Sequence, residues 1–533
     1  MTGPEPDVVT PAAAGVQVKR RNLLGGPFPA MLVVAGMILF CLIFGWAHIQ
    51  NHRGFGTYAF DTGIYDQAVW LLGRDLNPFM TVRGLSVHGH HVNPVLFLLV
   101  PISWLGGGAT WFLCIQTFTF AAGAWPVFLI ARRQLARADD RQRASRDFAS
   151  SLMAAVQALA YLLSPVMQWV NQAHWRPEAF SGTAFLFAWW FAINRRWTAY
   201  AIAVTFVLAT REETALAVGM MGLVLLFEQR RHLRLRGLRD PTLRRNLRPG
   251  VVTVTVAAAW FLVCTKLIIP AFNDGRPPYF LHEFFATFGG SVSGVVKTVV
   301  TDPGLLVETV TKPDRVGYLL DLGLPTLFTS LASPLHFSMM LPALASNLLT
   351  DNEYARMIQY QYAATLIGPM WIATVEGLAR LRRRPRVAAV VVGAVFVSTL
   401  ITNVNFSPSP LSKPKGLAVW SRPDARSQTL RKAVDMVPDD AVVVATYFLV
   451  THLDRRHYIY DWPNPFVESA WGNYDPVRPT PLPDPKTVEW IVADRRTLED
   501  DGPQLLRALT SSDGEFVVVF DEDDVVVARR RAR

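Results

Sequence analysis

The chain has 533 residues, 51% of them hydrophobic and only 18% charged, with 16 Trp and 32 Phe. That balance excludes an ordinary soluble protein. The formal net charge is +10, but Arg and Lys gather in short connections (19–21, 132–146, 230–248 and 380–386) between apolar stretches. This is how membrane proteins encode orientation, so the basic excess reports topology and not a nucleic-acid partner.

Residues 1–27 read as a disordered cytosolic tail. The first apolar stretch, 28–49, is long enough to cross a bilayer and has no clear cleavage site after it, so it is expected to stay as an anchor. The basic tail places the following segment, 51–94, on the external face. There the chain reads N-H-R-G-F-G-T-Y-A-F-D-T-G-I-Y-D-Q-A-V-W and, later, S-V-H-G-H-H-V-N-P. Ile64, Ala68, Leu71 and Leu72 have the spacing of a short amphipathic helix along the membrane surface. Residues 95–104 are too short to span and read as an interfacial or re-entrant helix.

Spans are then expected at 109–131, 148–170, 179–194, 197–210, 214–227, 251–270, 316–333, 335–349, 363–379 and 387–404. With the first, this gives a polytopic α-helical membrane protein of about 11 transmembrane helices over residues 28–405. Cys41, Cys114 and Cys264 all fall in apolar stretches and read as packing residues. After a linker rich in Ser, Pro and Lys, residues 406–533 carry no further span. Short β-branched runs at 441–445, 458–460, 488–492, 516–520 and 525–528, with a helix at 503–509, predict a small extracytoplasmic α/β domain.

The chemistry-bearing residues collect on the external side. Asp61 has the chemistry of a general base or a metal ligand, and equally of a cap for the helix that follows it. Asp66 points to another face of that helix and reads more readily as a solvated acid. His88, His90 and His91 suit metal or phosphate oxygens, or plain exposure, without a recognised ligand spacing. His174 and Glu178 are four apart, although Pro177 interrupts the turn between them. Arg211, Glu212 and Glu213 follow a span of only fourteen residues; charges at that depth pair or line a wet cavity, and Arg211 suits a lipid phosphate. No P-loop, GxGxxG, HExxH or G-x-S-x-G occurs in a convincing context.

The order F-D-T-G-I-Y-D-Q-A-V-W, H-V-N-P, H-W-R-P-E, R-E-E, L-P-A-L-A-S-N-L-L and Q-Y-Q-Y resembles a family of bacterial polytopic membrane proteins catalogued as a domain of unknown function. The tail V-V-A-T-Y-F-L-V-T-H-L-D-R-R-H-Y-I-Y-D-W-P resembles theirs as well. In plan that family is similar to the GT-C glycosyltransferases, which carry an acidic residue in the first external loop. The resemblance implies transfer of a sugar from a polyprenyl-phosphate donor to an envelope glycan, lipid or protein acceptor at the outer face of the plasma membrane. Asp61, and after it Asp66, takes the position of the catalytic acid. Arg211, His91 and His174 would hold the donor phosphate, and Glu178, Glu212, Glu213, His88 and His90 would line the cavity. GT-C enzymes often pair their acids where this chain has Asp61-Thr62, so a divalent metal (Mg2+, Mn2+ or Ca2+) is not assured. A transporter or flippase of a lipid-linked intermediate, or a non-catalytic scaffold of envelope assembly, is the alternative.

Overall fold

The computed structural model describes residues 27–135, 144–230, 241–412, 419–472 and 479–532. The expected tail at 1–27 therefore lies almost wholly outside the described residues, as does most of the 230–248 loop's first half. Helices dominate. Phe28–Arg53 begins on Pro29, whose fixed φ suits a first helical turn, and ends in His52 and Arg53.

Among the described residues, four helices are long and apolar enough to cross a membrane: Phe28–Arg53, Ala109–Leu135, Leu247–Ala271 and Pro385–Phe406. Phe148–Leu163 and Pro165–Gln172 form a fifth candidate, bent by 43° at Ser164. Pro165 supplies no N–H to continue the first helix, which accounts for the bend. Shorter apolar helices at Ala179–Ile193, Trp197–Leu208 and Thr214–Glu228 pack among these. Ala179–Ile193 meets Ala364–Ala379 closely, because Gly182 and Gly368 leave backbone against backbone at the crossing. The common core includes the fully buried Trp189, Trp371, Tyr161 and Phe120.

Between 313 and 349 the structure departs from the expected pair of continuous spans. Pro313–Gly323 is α-helical, and short turns follow at Leu324–Thr326, Thr329–Ala332, Pro334–Phe337 and Ser338–Met340 before Leu341–Leu349. Pro325, Pro334 and Pro342 each interrupt the helical ladder, and Leu327 and Phe328 take left-handed φ of 50° and 54°. Residues 95–104, read as interfacial, fall in the 3-10 turn Pro94–Leu99 and the helix Val100–Trp104.

In the first loop, β1 (Phe79–Met80) pairs antiparallel with β2 (Leu85–Ser86). The C-terminal region holds a five-stranded sheet of β3 (Val443–Ala445), β4 (Ile459–Asp461), β5 (Trp490–Asp494), β6 (Phe516–Glu522) and β7 (Val525–Arg530). Its order is β4-β3-β5-β7-β6. The first three strands are parallel and β5-β7-β6 antiparallel. The helix Ala425–Asp435 starts with a capping box between Asp424 and Ser427.

The first loop and this C-terminal region share one apolar core. Tyr65, Val69, Met80 and Leu85 pack with Leu430, Leu449, Val450 and Ile459. Buried polar ties cross the same junction. Thr57 Oγ1 lies 2.8 Å from Thr451 Oγ1, Gln67 Nε2 donates to the Arg456 carbonyl at 3.3 Å, and Thr81 Oγ1 donates to the Ile459 carbonyl at 2.7 Å. Such groups cost free energy when buried alone, so the junction is specified and not merely sticky.

Candidate functional site

Five of the charged residues singled out in the sequence meet at one end of the helices. Asp61 sits in the turn Ala59–Gly63 with φ 74° and ψ −85°, a conformation that costs a non-glycine residue about 1–3 kcal/mol. No side-chain hydrogen bond from Asp61 or Thr62 caps the next helix. Thr62 Oγ1 instead accepts from the Trp175 backbone N–H at 3.1 Å, which ties the turn to residues 173–178. The Asp61 carboxylate forms an ion pair with the Arg176 guanidinium. The strained turn thus aims Asp61 at a cation and not at its own helix.

Arg176 is the residue that sequence reasoning missed. It lies inside H-W-R-P-E, where it reads as part of a polar link. In the structure it faces Asp61 and also stands 3.6 Å from Glu178 Oε1. With its amide turned, Gln361 offers its carbonyl oxygen to both Arg176 terminal nitrogens at 3.2 and 3.0 Å.

A second guanidinium completes the arrangement. Arg211 donates to Glu178 Oε1 at 2.7 Å, approaches Glu213 at 3.4 Å, and lies 3.2 Å from His91 Nε2. His91 Nδ1 is 2.8 Å from Glu212 Oε1. Since a guanidinium only donates and a carboxylate only accepts, a neutral His91 carries its proton on Nδ1 and offers Nε2 to Arg211. Glu212 Oε2 also accepts from the Val92 backbone N–H at 3.0 Å, and Asn93 Nδ2 donates to the Thr210 carbonyl at 2.6 Å. Loop 91–93 and loop 210–213 are therefore one hydrogen-bonded unit.

The electrostatics follow from burial. Burial raises the Asp61 carboxyl above its ordinary range, and the Arg176 charge opposes that rise. Burial also works against ionised Glu178, but Arg211 and Arg176 together hold it below the usual carboxylate value. Asp61, Glu178 and Glu213 each have a guanidinium as neighbour, and Glu212 is held by His91 and the Val92 N–H.

His90, His91, Arg176, Arg211, Glu212 and Glu213 border a cavity of about 300 Å³ together with the apolar side chains of Leu216, Phe261, Val292 and Val296, while Asp61 and Glu178 are not among its lining residues. Asn347 and Tyr362, from the L-P-A-L-A-S-N-L-L and Q-Y-Q-Y segments, and Asn352 between them also border it. A charged head and apolar flanks suit an amphiphile carrying an anionic group.

The remaining predicted residues lie elsewhere. His174 stacks against Tyr58, ring centroids 3.6 Å apart, beside the Asp61 turn. His88 packs against Phe97 and Phe272 and does not border the cavity. Asp66 is not a solvated surface acid: it is 1% exposed. Its Oδ2 accepts from the Ala109 N–H at 2.8 Å, satisfying a free donor at the start of Ala109–Leu135.

Asp61, Glu178 and Glu213 each face a guanidinium, and among the described residues no group of three or more His, Cys, Asp or Glu side chains is placed to hold a metal ion.

A mainly helical bundle, a long acid-bearing first loop and a C-terminal α/β region packed on that loop define the class of the fold. Along 94% of this chain and 98% of the other, it is similar to the crystal structure of ArnT, a GT-C glycosyltransferase, from Cupriavidus metallidurans bound to undecaprenyl phosphate, at a TM-score of 0.51 and 13% identity. The same enzyme in the apo state matches at a TM-score of 0.42 and 15% identity, over 94% and 97% of the two chains. The chain belongs to the predicted membrane protein family DUF2079, which it matches over residues 51–527. No curated protein matches its sequence.

Proposed function

We propose that the protein is a membrane glycosyltransferase that moves a sugar from a polyprenyl-phosphate donor to an envelope glycan, lipid or protein acceptor at the outer face of the plasma membrane. The observation that carries this reading is the pairing of Asp61 with Arg176, whose side chain lines a cavity with a charged head and apolar flanks. The likeness of the fold to an enzyme crystallised with undecaprenyl phosphate supports the same donor class.

In the reaction, Asp61 accepts the proton of an acceptor hydroxyl as its oxygen attacks the anomeric carbon. The bond from that carbon to the phosphate oxygen breaks, and its electron pair leaves with the lipid phosphate. Arg176 and Arg211 stabilise the charge that develops there. Glu178, held ionised between them, fixes both guanidiniums, and Glu212 orients His91 toward Arg211. Attack opposite the leaving phosphate inverts the anomeric centre.

The test is turnover by purified protein supplied with a panel of polyprenyl-phosphate sugars, following release of free polyprenyl phosphate. Wild-type activity that Asp61→Asn abolishes is the expected result. Retained lipid binding without turnover in either protein would transfer the assignment to a transporter or scaffold.

A further inference from the structure

A second, larger cavity of about 970 Å³ lies between the first loop, the turn before Ala109–Leu135 and residues 451–457 of the C-terminal region. It shares no lining residue with the cavity described above. Trp70, Trp104 and Trp111 border it, with Trp104 and Trp111 66% and 56% exposed. Opposite them, Asp66 and Asp454 are each 1% exposed yet line the same space. Asp66 Oδ1 and Asp454 Oδ2 have no hydrogen-bond partner among the described residues, and neither does His452 Nε2. Buried polar atoms without partners are rare in native proteins and call for a ligand or water to satisfy them.

We infer that this cavity is a carbohydrate-binding cleft for a neutral oligosaccharide, with the indoles stacking on sugar faces and Asp66 and Asp454 accepting from sugar hydroxyls. The charges lining it decide against an anionic occupant. Four acids (Asp66, Asp439, Asp440, Asp454) stand beside four guanidiniums (Arg74, Arg431, Arg455, Arg456), and the guanidiniums are already engaged: Arg74 donates to the Trp70 carbonyl, Arg431 lies 3.3 Å from His452 Nδ1, and Arg456 donates to the Pro438 carbonyl. A phosphate would meet unpaired carboxylate oxygens, whereas a polyol both donates to carboxylates and accepts from guanidiniums. The volume falls at the upper end of the range for small-molecule sites, large enough for several sugar rings. Arg455 already spends two nitrogens on the Gly106 and Ser103 carbonyls, at 2.7 and 3.0 Å, so it fixes the wall of the cleft instead of awaiting an anion.

The cleft is linked to the Asp61 turn by one short helix. Asp66 belongs to Ile64–Leu72, which begins immediately after Gly63. Asp454 Oδ2 lies 3.6 Å from where a Cβ on Gly63 would stand. The inference does not rest on glycosyl transfer, since binding is its only content.

The experiment is saturation-transfer NMR on the full-length protein in detergent micelles with maltotetraose, chitotetraose and mannotetraose as probes. Wild type is expected to bind at least one of them, and Trp111→Ala and Asp454→Asn each to weaken it by roughly tenfold or more. Trp111 is largely exposed, so its truncation tests the cleft even where Asp454→Asn fails to fold. No binding of any probe, or binding indifferent to Trp111→Ala, overturns the proposal. Binding of inorganic phosphate or of phosphatidylglycerol vesicles that Arg431→Ala removes, with no binding of sugars, overturns it in favour of an anionic lipid.

Discussion

Arg176 and Asp61 are 115 positions apart and form one ion pair, with side chains only 15% and 13% exposed. The pair joins the turn after the first helix to the link between the bent pair and Ala179–Ile193. Each partner alone would be a costly buried charge; together they form a preset acid and cation, with Arg176 lining the cavity.

That pairing gives turnover a defined pH response. A general base works only when ionised, and burial holds Asp61 above the ordinary carboxyl range despite Arg176. The rate should therefore fall as pH drops through that raised value. Arg176→Gln removes the charge that favours the carboxylate, so the acid limb of kcat/KM should move to higher pH. An acid limb that stays in place in Arg176→Gln would show that Asp61 is not the titrating base.

Arg211 anchors Glu178, Glu213 and His91 at once. Arg211→Ala leaves Glu178 without its closest partner and should cost about 3–5 kcal/mol of stability. Arg211→Lys keeps the charge but not the planar fork, so the loss should be smaller. Thermal unfolding in detergent distinguishes them, and equal melting of wild type and Arg211→Ala would mean that the cluster contributes nothing to the fold.

Asp66 reports the junction between the first loop and the C-terminal region. Burial raises its carboxyl from 3.8 to about 6, with Arg455 opposing. The folded chain thus keeps a proton that the unfolded chain releases, and stability declines as pH rises between those values. Asp66→Asn cannot titrate, so relative to wild type it should gain stability across that window and hold a constant difference above it. A difference independent of pH would place the Asp66 carboxyl at its ordinary value.

Gly84 has φ of 67°, and a Cβ there would run into the indole of Trp471. The neighbouring Gly472 N–H donates to the Arg83 carbonyl at 2.8 Å. Gly84→Ala should therefore destabilise by roughly 1–3 kcal/mol and loosen this contact, seen as faster proteolysis of the C-terminal region. Unchanged proteolysis would argue that the hairpin accommodates the methyl group.

Long apolar helices and period-two runs were legible because each depends on local pattern alone. The five strands of the C-terminal sheet fall on the β-branched runs that predicted them, within a few residues. Arg211, Glu212 and Glu213 were legible as candidates because charges after a short span need partners. Arg176 was not, since its partner Asp61 is reached only through the fold. Asp66 misled for the opposite reason: helical spacing set its face, but the surface it meets comes from residues 109 and 454–455. The broken stretch 313–349 carries prolines that sequence can show, yet hydropathy averages over them.

The shared core of the first loop and the C-terminal region also sets a timetable. Thr57 and Thr451 are separated by 394 positions, and residues such as Tyr65 and Met80 bury themselves on strands made near the end of synthesis. At about 5–20 residues per second, the loop waits on the order of 20–80 s for its partner. Throughout that interval the part of its apolar face that meets Leu430, Leu449, Val450 and Ile459 is bare. A ribosome that stalls after residue 405 would leave a chain whose helices are complete and whose first loop has no counterpart, the species that quality-control proteases should recognise first.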